Sequence, residues 1–279
     1  MSDRQLSHEV INQLVGRKVE KPWGRCDIGA PFEAGEVNDQ PIGEIWFERL
    51  GGKMPELLIK YLFTSQNLSI QVHPDDYIAR AAGLDQGKDE AWYIISALPG
   101  AVIGLGPRCA LTTDELRTAS LDGSIVNLLS WRTVKAGDFY YLPAGTIHAI
   151  GAGLVLVEIQ QNVDVTYRFY DYGRSRPLQL KSALLAADLD PYVQTVAPSI
   201  REFGRQVLND ENAFVVERWS DGYARYLSAS PESPKWIIPI HNVSEVDYTP
   251  IAPRSVWMIE KRVKVNAADG GDLLIAYRE

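Results

Sequence analysis

The chain has 279 residues, of which 46% are hydrophobic and 23% charged, with a formal net charge of −8. That length suits one large or two modest domains with a sizeable core. The acidic balance excludes the basic footprint of a nucleic-acid surface, so no nucleic-acid partner is expected; a small anion can still be held where a few Lys or Arg converge. Cys26 and Cys109 form neither a CxxC pair nor a disulfide framework, which favours a reducing compartment. The opening MSDRQLSHEV has no signal-peptide core, and no apolar run approaches about 18 residues. The expected location is therefore cytoplasmic, without membrane insertion.

In chain order, residues 2–15 carry Leu6, Val10, Ile11 and Leu14 at helical spacing, which predicts a short amphipathic prefix over 1–17. From Lys18 the pattern changes to short runs rich in Val, Ile, Tyr, Trp and Phe, among them IGEIWFERL, LLIKYLF, LSIQVH, AWYIISAL, DFYYLP and LVLVEIQ. Strands so short and frequent predict an antiparallel sandwich or barrel. Helices interrupt at PDDYIARAAGL, with Asp75 or Asp76 at its start, and at TTDELRTASL, capped by Thr112 or Thr113. A third, LKSALLAADLD, falls in a helical connection over 179–200. Strands resume in FVVERW, KWIIPIHNV, SVWMIEK and DLLIAYR. The expected organisation is a β-domain over 18–178, the connection, and a smaller β-domain over 201–279.

Two stretches carry chemistry. In LSIQVHPDD, period-two alternation sets Ser69, Gln71 and His73 on the face opposite Leu68, Ile70 and Val72. GDFYYLPAGTIH, Gly137 to His148, fits Gly-x5-Pro-x-Gly-x2-His at every fixed position and resembles the second signature of the cupins. Cupins usually place His-x-His and a nearby Glu earlier; this chain has Gln71-x-His73, and its next Glu is Glu90. LSIQVHPDD, GKDEAWYI, LPAGTIHAI and YRFYDYGR, in that order, together with Pro22–Gly24 (PWG), closely resemble the type I phosphomannose isomerases, in their short bacterial form. The resemblance runs from about Val19 to Arg174.

The resemblance implies an all-β cupin jelly roll (an RmlC-like double-stranded β-helix) with two β-domains and a few short helices. It implies a metal site of Gln71, His73, Glu90 and His148, an oxygen and imidazole set that suits one Zn²⁺ per chain or another divalent transition metal. Glu90, rather than its neighbour Asp89, takes the ligand position. In GLVLVEIQQNVDVTYRFYDYGR, Leu154, Leu156, Glu158 and Gln160 share one strand face, and Asp164, Thr166 and Arg168 another. By resemblance Arg168 is essential, with Asp164 beside it and Glu158 near the metal. Asp164, Glu158 and Lys88 are unranked candidates for moving a proton. Ser69, Lys60, Lys88 and Arg174 are candidates for holding substrate or phosphate, with Arg176 a further one. His8 and His241 have no companion ligands and are read as structural. Gly151-Ala152-Gly153 is followed by no helix and is read as a hairpin turn, not a dinucleotide loop.

The implied function is metal-dependent interconversion of mannose 6-phosphate and fructose 6-phosphate through a cis-enediolate, within carbohydrate metabolism. The alternatives are a cupin oxygenase, since two His and a carboxylate also suit non-haem iron, or a non-catalytic sugar-phosphate-binding cupin. A hexose phosphate is the expected partner, and the assembly is expected to be a monomer or homodimer.

Overall fold

Fully apolar runs interrupted by a single charge become central strands when both faces of their sheet are covered. In the computed structural model, which describes residues 11–30, 32, 40–51, 54–194 and 198–278, LLIKYLF is such a strand, with all seven residues buried. The elements in chain order are β1 (Ile11–Gln13), β2 (Val15–Arg25), β3 (Ile42–Glu48), β4 (Leu57–Phe63), β5 (Ile70–Val72), α1 (Asp76–Ala81) and β6 (Glu90–Ala97). They continue with β7 (Val102–Pro107), α2 (Thr113–Asp122), α3 (Ile125–Leu128), β8 (Leu129–Thr133), β9 (Phe139–Leu142), β10 (His148–Ile150), β11 (Leu154–Gln161), β12 (Tyr167–Tyr170) and α4 (Leu180–Ala186). Ten further strands lie between Ser199 and Tyr277.

One compact unit comprises Lys18–Trp46 and Glu56–Gln194. Its sheets run β2-β3-β4-β11-β6-β9 and β12-β5-β10-β7-β8, every recorded pairing being antiparallel, as an all-β cupin-like fold requires. Leu62, Trp92, Ile94, Leu154 and Leu156 from the first sheet meet Ile103, Leu105 and Ile150 from the second in one apolar cluster. The other side of the second sheet, with Ile70, Val72 and Ala149, packs on Leu116, Ala119, Ile125 and Ala183 of the helices. β5 thus turns Ile70 and Val72 to the helices and Gln71 inward. Leu68 departs from the expected alternation: it precedes the strand and packs in the inner cluster.

The local signals work as their chemistry requires. Asp75 caps α1 by accepting the Ile78 N–H at 2.7 Å, and Thr112 with Glu115 closes a capping box on α2. Gly145 of the cupin-like motif has φ +91°, a left-handed turn that a side chain would strain. Its N–H donates to the His73 carbonyl at 2.9 Å, which ties the turn before β10 to the end of β5.

The other unit comprises the described residues of Met1–Arg17, Phe47–Pro55 and Thr195–Glu279. It holds a seven-stranded sheet and a four-stranded sheet around Trp219, Ile237, Ile259, Val263, Leu273 and Ile275.

Two expectations need correcting. The helical prefix lies outside the described residues up to position 10, and beyond it Ile11–Gln13 is a strand paired with Trp257–Ile259. Three residues with Leu14 buried behind them satisfy a sheet edge as readily as a helical stripe, and ladder partners far along the chain decide it. The stretch 179–200 is helical, among its described residues, only at α4, which packs on α2, β5 and β12 within the unit of Lys18–Trp46 and Glu56–Gln194; the other unit resumes at Thr195. Among the described residues, no helix is long and apolar enough to cross a membrane.

Candidate functional site

Strand register builds the site. Gln71 lies directly opposite His148 on β10 and opposite Arg168 on β12. Directly opposed residues of an antiparallel pair share a face, so the three side chains form one row across the second sheet. On the first sheet Glu158 lies opposite Lys60, and Gln160 opposite Glu90. The two rows face each other inside the unit, beyond the end of its apolar cluster.

His73, Glu90 and His148 are buried, and one ligand atom from each lies within 4.8 Å of the others. The Nδ1 of His73 donates to the Val165 carbonyl at 2.8 Å, and that of His148 to the Thr146 carbonyl at 2.9 Å. These bonds fix the tautomer and leave both Nε2 lone pairs turned inward. Burial and then the Lys88 ammonium push His73 down to about 3, and burial pushes His148 down as well, so both imidazoles are neutral. Burial, the largest single influence, would push the Glu90 carboxyl up, but Lys88, His73 and His148 together outweigh it and hold the group well below its usual range as a carboxylate.

Those groups are suited to a cation. Glu90 Oε2 is 3.2 Å from His73 Nε2 and Oε1 is 3.3 Å from His148 Nε2, yet both buried oxygens make no hydrogen bond. Four electron-rich atoms thus face one another at close range, an arrangement that a divalent ion with N and O preferences stabilises. Lys88 Nζ is the cation that touches them, 3.2 Å from both His73 Nε2 and Glu90 Oε2. Gln71 is at hand, its Nε2 donating to His148 Nε2 at 3.2 Å while its Oε1 accepts from Ser69 Oγ at 2.9 Å. A half-turn of the amide exchanges the two atoms and presents the oxygen instead. Asp89 faces away from the cluster, accepting from Tyr141 OH at 2.6 Å and Ala144 N–H at 2.9 Å.

A cleft opens beside this cluster, lined by Ser69, Gln71 and Lys88, by Lys60 and Glu158, and by Asp164, Thr166 and Arg168. Lys60 Nζ donates to Glu158 at 3.0 Å and to Gln160 Oε1 at 2.6 Å. Burial would lower the Lys60 pKa, but Glu158 and Glu44 outweigh it and raise it, so the amine is charged. Arg168 is half-buried, and its Nε is buried without a hydrogen bond.

The chain is 38% identical over 202 residues to a probable mannose-6-phosphate isomerase of Bacillus subtilis, covering 66% of this chain and 64% of that one. It is 42% identical over 156 residues to another B. subtilis mannose-6-phosphate isomerase, covering 51% and 49%. It is 44% identical over 134 residues to the enzyme of Streptococcus mutans, covering 46% and 42%. These matches span less than two thirds of the relatives' lengths, from 42% to 64%. A crystal structure of a mannose 6-phosphate isomerase from B. subtilis superposes with a TM-score of 0.82 at 25% identity, over 96% of this chain and 99% of that one. The chain is similar to mannose-6-phosphate isomerases in sequence and in fold. No family model matches it.

Against the type I phosphomannose isomerase pattern, the structure brings Gln71, His73, Glu90 and His148 together with Lys88, and sets Lys60, Ser69, Glu158, Asp164 and Arg168 around one cleft. Arg174 is not in that lining. Its guanidinium donates to Asp171 at 2.8 Å and to the Asn67 carbonyl at 2.6 Å. Arg176 lines the cleft instead. His8 lies outside the described residues, and His241 is exposed near Asp272.

Lys21, Glu44 and Trp46 also line the cleft and were not singled out from the sequence. Trp46 Nε1 donates to Glu44 at 2.6 Å, Lys21 lies 3.3 Å from the same carboxylate, and Lys60 Nζ sits 4.5 Å over the Trp46 ring. The available signal was IGEIWF, where an acidic residue and a Trp two apart interrupt an apolar strand.

Proposed function

We propose that this chain is a metal-dependent aldose–ketose isomerase that interconverts mannose 6-phosphate and fructose 6-phosphate through a cis-enediolate. In this reading the ion is zinc, one per chain, and the enzyme works in the cytoplasm in carbohydrate metabolism. The observation that carries it is a buried His73–Glu90–His148 cluster opening on a cleft that holds Lys60–Glu158 and Arg168.

His73, Glu90 and His148, with Gln71 as the fourth donor, would hold the ion. Bound there, it supplies Lewis-acid polarisation of the sugar's carbonyl and hydroxyl oxygens. The rest of the work falls to side chains. One base removes the proton from C2 of the open-chain aldose and returns it to C1 of the enediolate, while the hydroxyl proton passes from O2 to O1, which yields the ketose. Glu158, Asp164 and Lys88, all lining the cleft, are the candidates for carrying that proton. Lys60 holds the Glu158 carboxylate in one place through its 3.0 Å contact. The buried, unbonded Nε of Arg168 offers a fixed donor where the enediolate oxygen develops its charge, and a fixed donor needs no reorganisation during the reaction.

Metal analysis with a coupled isomerase assay tests the reading. The expected result is one zinc per chain, turnover of mannose 6-phosphate, loss on chelation and return with metal. Unimpaired turnover after exhaustive chelation would refute it. Iron with oxygen uptake would indicate an oxygenase, and tight sugar-phosphate binding without turnover a sensor.

A further inference from the structure

Five cations line the cleft, and three are already answered by partners inside it. Lys21 pairs with Glu44 at 3.3 Å, Lys60 with Glu158 at 3.0 Å, and Lys88 with Glu90 at 3.2 Å. The remaining two, Arg168 and Arg176, carry like charges at close quarters: after burial, Arg176 is the largest influence lowering the Arg168 pKa. Arg176 is held from behind. The buried Asp171 accepts its Nε at 2.7 Å and its Nη2 at 2.7 Å, and accepts Arg174 Nη1 at 2.8 Å as well. A guanidinium has five N–H donors in a rigid fork. The Asp171 grip takes one N–H from each of two nitrogens and fixes the plane of a guanidinium that lines the cleft and has three further N–H donors. One buried carboxylate thus answers two arginines, and the other acids acting on Arg168 are an exposed Asp164 and Glu44, which Lys21 already answers. The local balance is positive in a chain whose net charge is −8.

We infer that Arg176 is the residue that recognises the dianionic phosphate of the substrate, with Asp171 and Arg174 as the pair that positions it. This rests on the hexose-phosphate reading of the cleft and adds to it the source of preference for a phosphorylated over a free sugar. Arg174, expected from sequence to meet the phosphate, serves from the second rank: it shares Asp171 and anchors that loop to the Asn67 carbonyl. The anchor matters because Tyr172, within the loop, adopts a left-handed φ of 53° that costs energy and needs support.

The test compares wild type with Arg176→Gln and Arg176→Lys. Steady-state kinetics, calorimetric binding of mannose 6-phosphate and competition by inorganic phosphate are measured on metal-replete protein. Losing a charge-assisted contact of this kind weakens binding by roughly 10- to 100-fold. For Arg176→Gln, KM for mannose 6-phosphate and the inhibition constant of phosphate should rise together by that factor. Its kcat should stay within about threefold, and its metal content should be unchanged. Arg176→Lys keeps the charge beside Asp171 and should recover part of the loss. Arg174→Gln should raise KM less than Arg176→Gln. Unchanged KM and unchanged phosphate inhibition in Arg176→Gln would overturn the inference, as would an equal loss in kcat without a change in KM. The calorimetric arm needs no turnover. A wild type that binds mannose 6-phosphate without isomerising it would refute the isomerase reading, and Arg176→Gln would still decide this one.

Discussion

Arg168 and His73 show how single side chains are prepared for their tasks. Arg168 sits opposite Gln71 in the register, half-buried, with a buried donor that no protein group satisfies. Such a donor is costly unless a ligand meets it. Arg168→Ala is expected to retain metal and lose kcat by about 10²-fold or more, the size seen when one fixed oxyanion donor is removed. A near-normal kcat would end its assigned role. His73 is neutral because burial and Lys88 disfavour its charged form, down to about 3 against an unfolded value near 6.5. The sign follows from linkage. A depressed folded pKa gives stability that is full above the unfolded pKa and declines as pH falls towards the folded one. Acidification from pH 7 to 5 should therefore destabilise the unit and release metal. Thermal melting and metal content measured across that range check it, and a metal content flat to pH 4 would contradict it.

At the scale of elements, strand pairing places the chemistry and close approach of backbones constrains it. Gly24 of the PWG stretch lies where β2 passes β3, and a Cβ there would run into the main chain of Ile42 and Gly43. Backbone cannot rotate aside as a side chain can, so Gly24→Ala should cost about 1–3 kcal/mol. Chemical denaturation should show a lower midpoint with an unchanged m-value. In the other unit the carboxylate of Glu217 is gripped by Arg205 through two contacts of 2.8 Å, by Trp219 Nε1 at 2.7 Å and by Tyr277 OH at 3.0 Å. Burial pushes that carboxyl up, but the hydrogen bonds from Arg205 and Trp219 and the charge of Arg205 outweigh it and bring the pKa below the usual value. The stability it provides is present above the unfolded carboxylate pKa and lost as pH falls through the folded one. Glu217→Gln should cost about 3–5 kcal/mol at neutral pH, as for a buried pair deprived of one partner. The penalty should shrink on acidification, and a pH-independent difference would show that the charge is not what stabilises.

For the molecule as a whole, binding energy at the cluster should appear as stability, since an ion that binds the folded state and not the unfolded chain raises ΔG by mass action. At a free concentration 1,000 times Kd that amounts to about 4 kcal/mol. Chelation should lower Tm by several degrees, and re-addition of zinc should restore it; a Tm indifferent to both would mean that the cluster holds no ion in solution. Much of this was legible in the sequence. Period-two alternation identified the Ser69–Gln71–His73 face. The Gly137–His148 spacing identified the turn that delivers His148, and the apolar run LLIKYLF with its lone Lys60 marked a central strand with an inward charge. These are local signals, set by the strand repeat and by turn chemistry within about ten residues, and a single chain carries them without its partners. What tertiary structure alone decided depends on which strands become neighbours. Ile11–Gln13 is a strand because Trp257–Ile259 pairs with it, and Lys21, Glu44 and Trp46 reach the cleft because β2 and β3 extend the sheet beside β4. Arg176 lines the cleft and Arg174 does not, although Asp171 holds both guanidiniums. Two arginines separated by one residue look alike in sequence; the partners that distinguish them, at Gln66 and Asn67, are more than a hundred residues away along the chain.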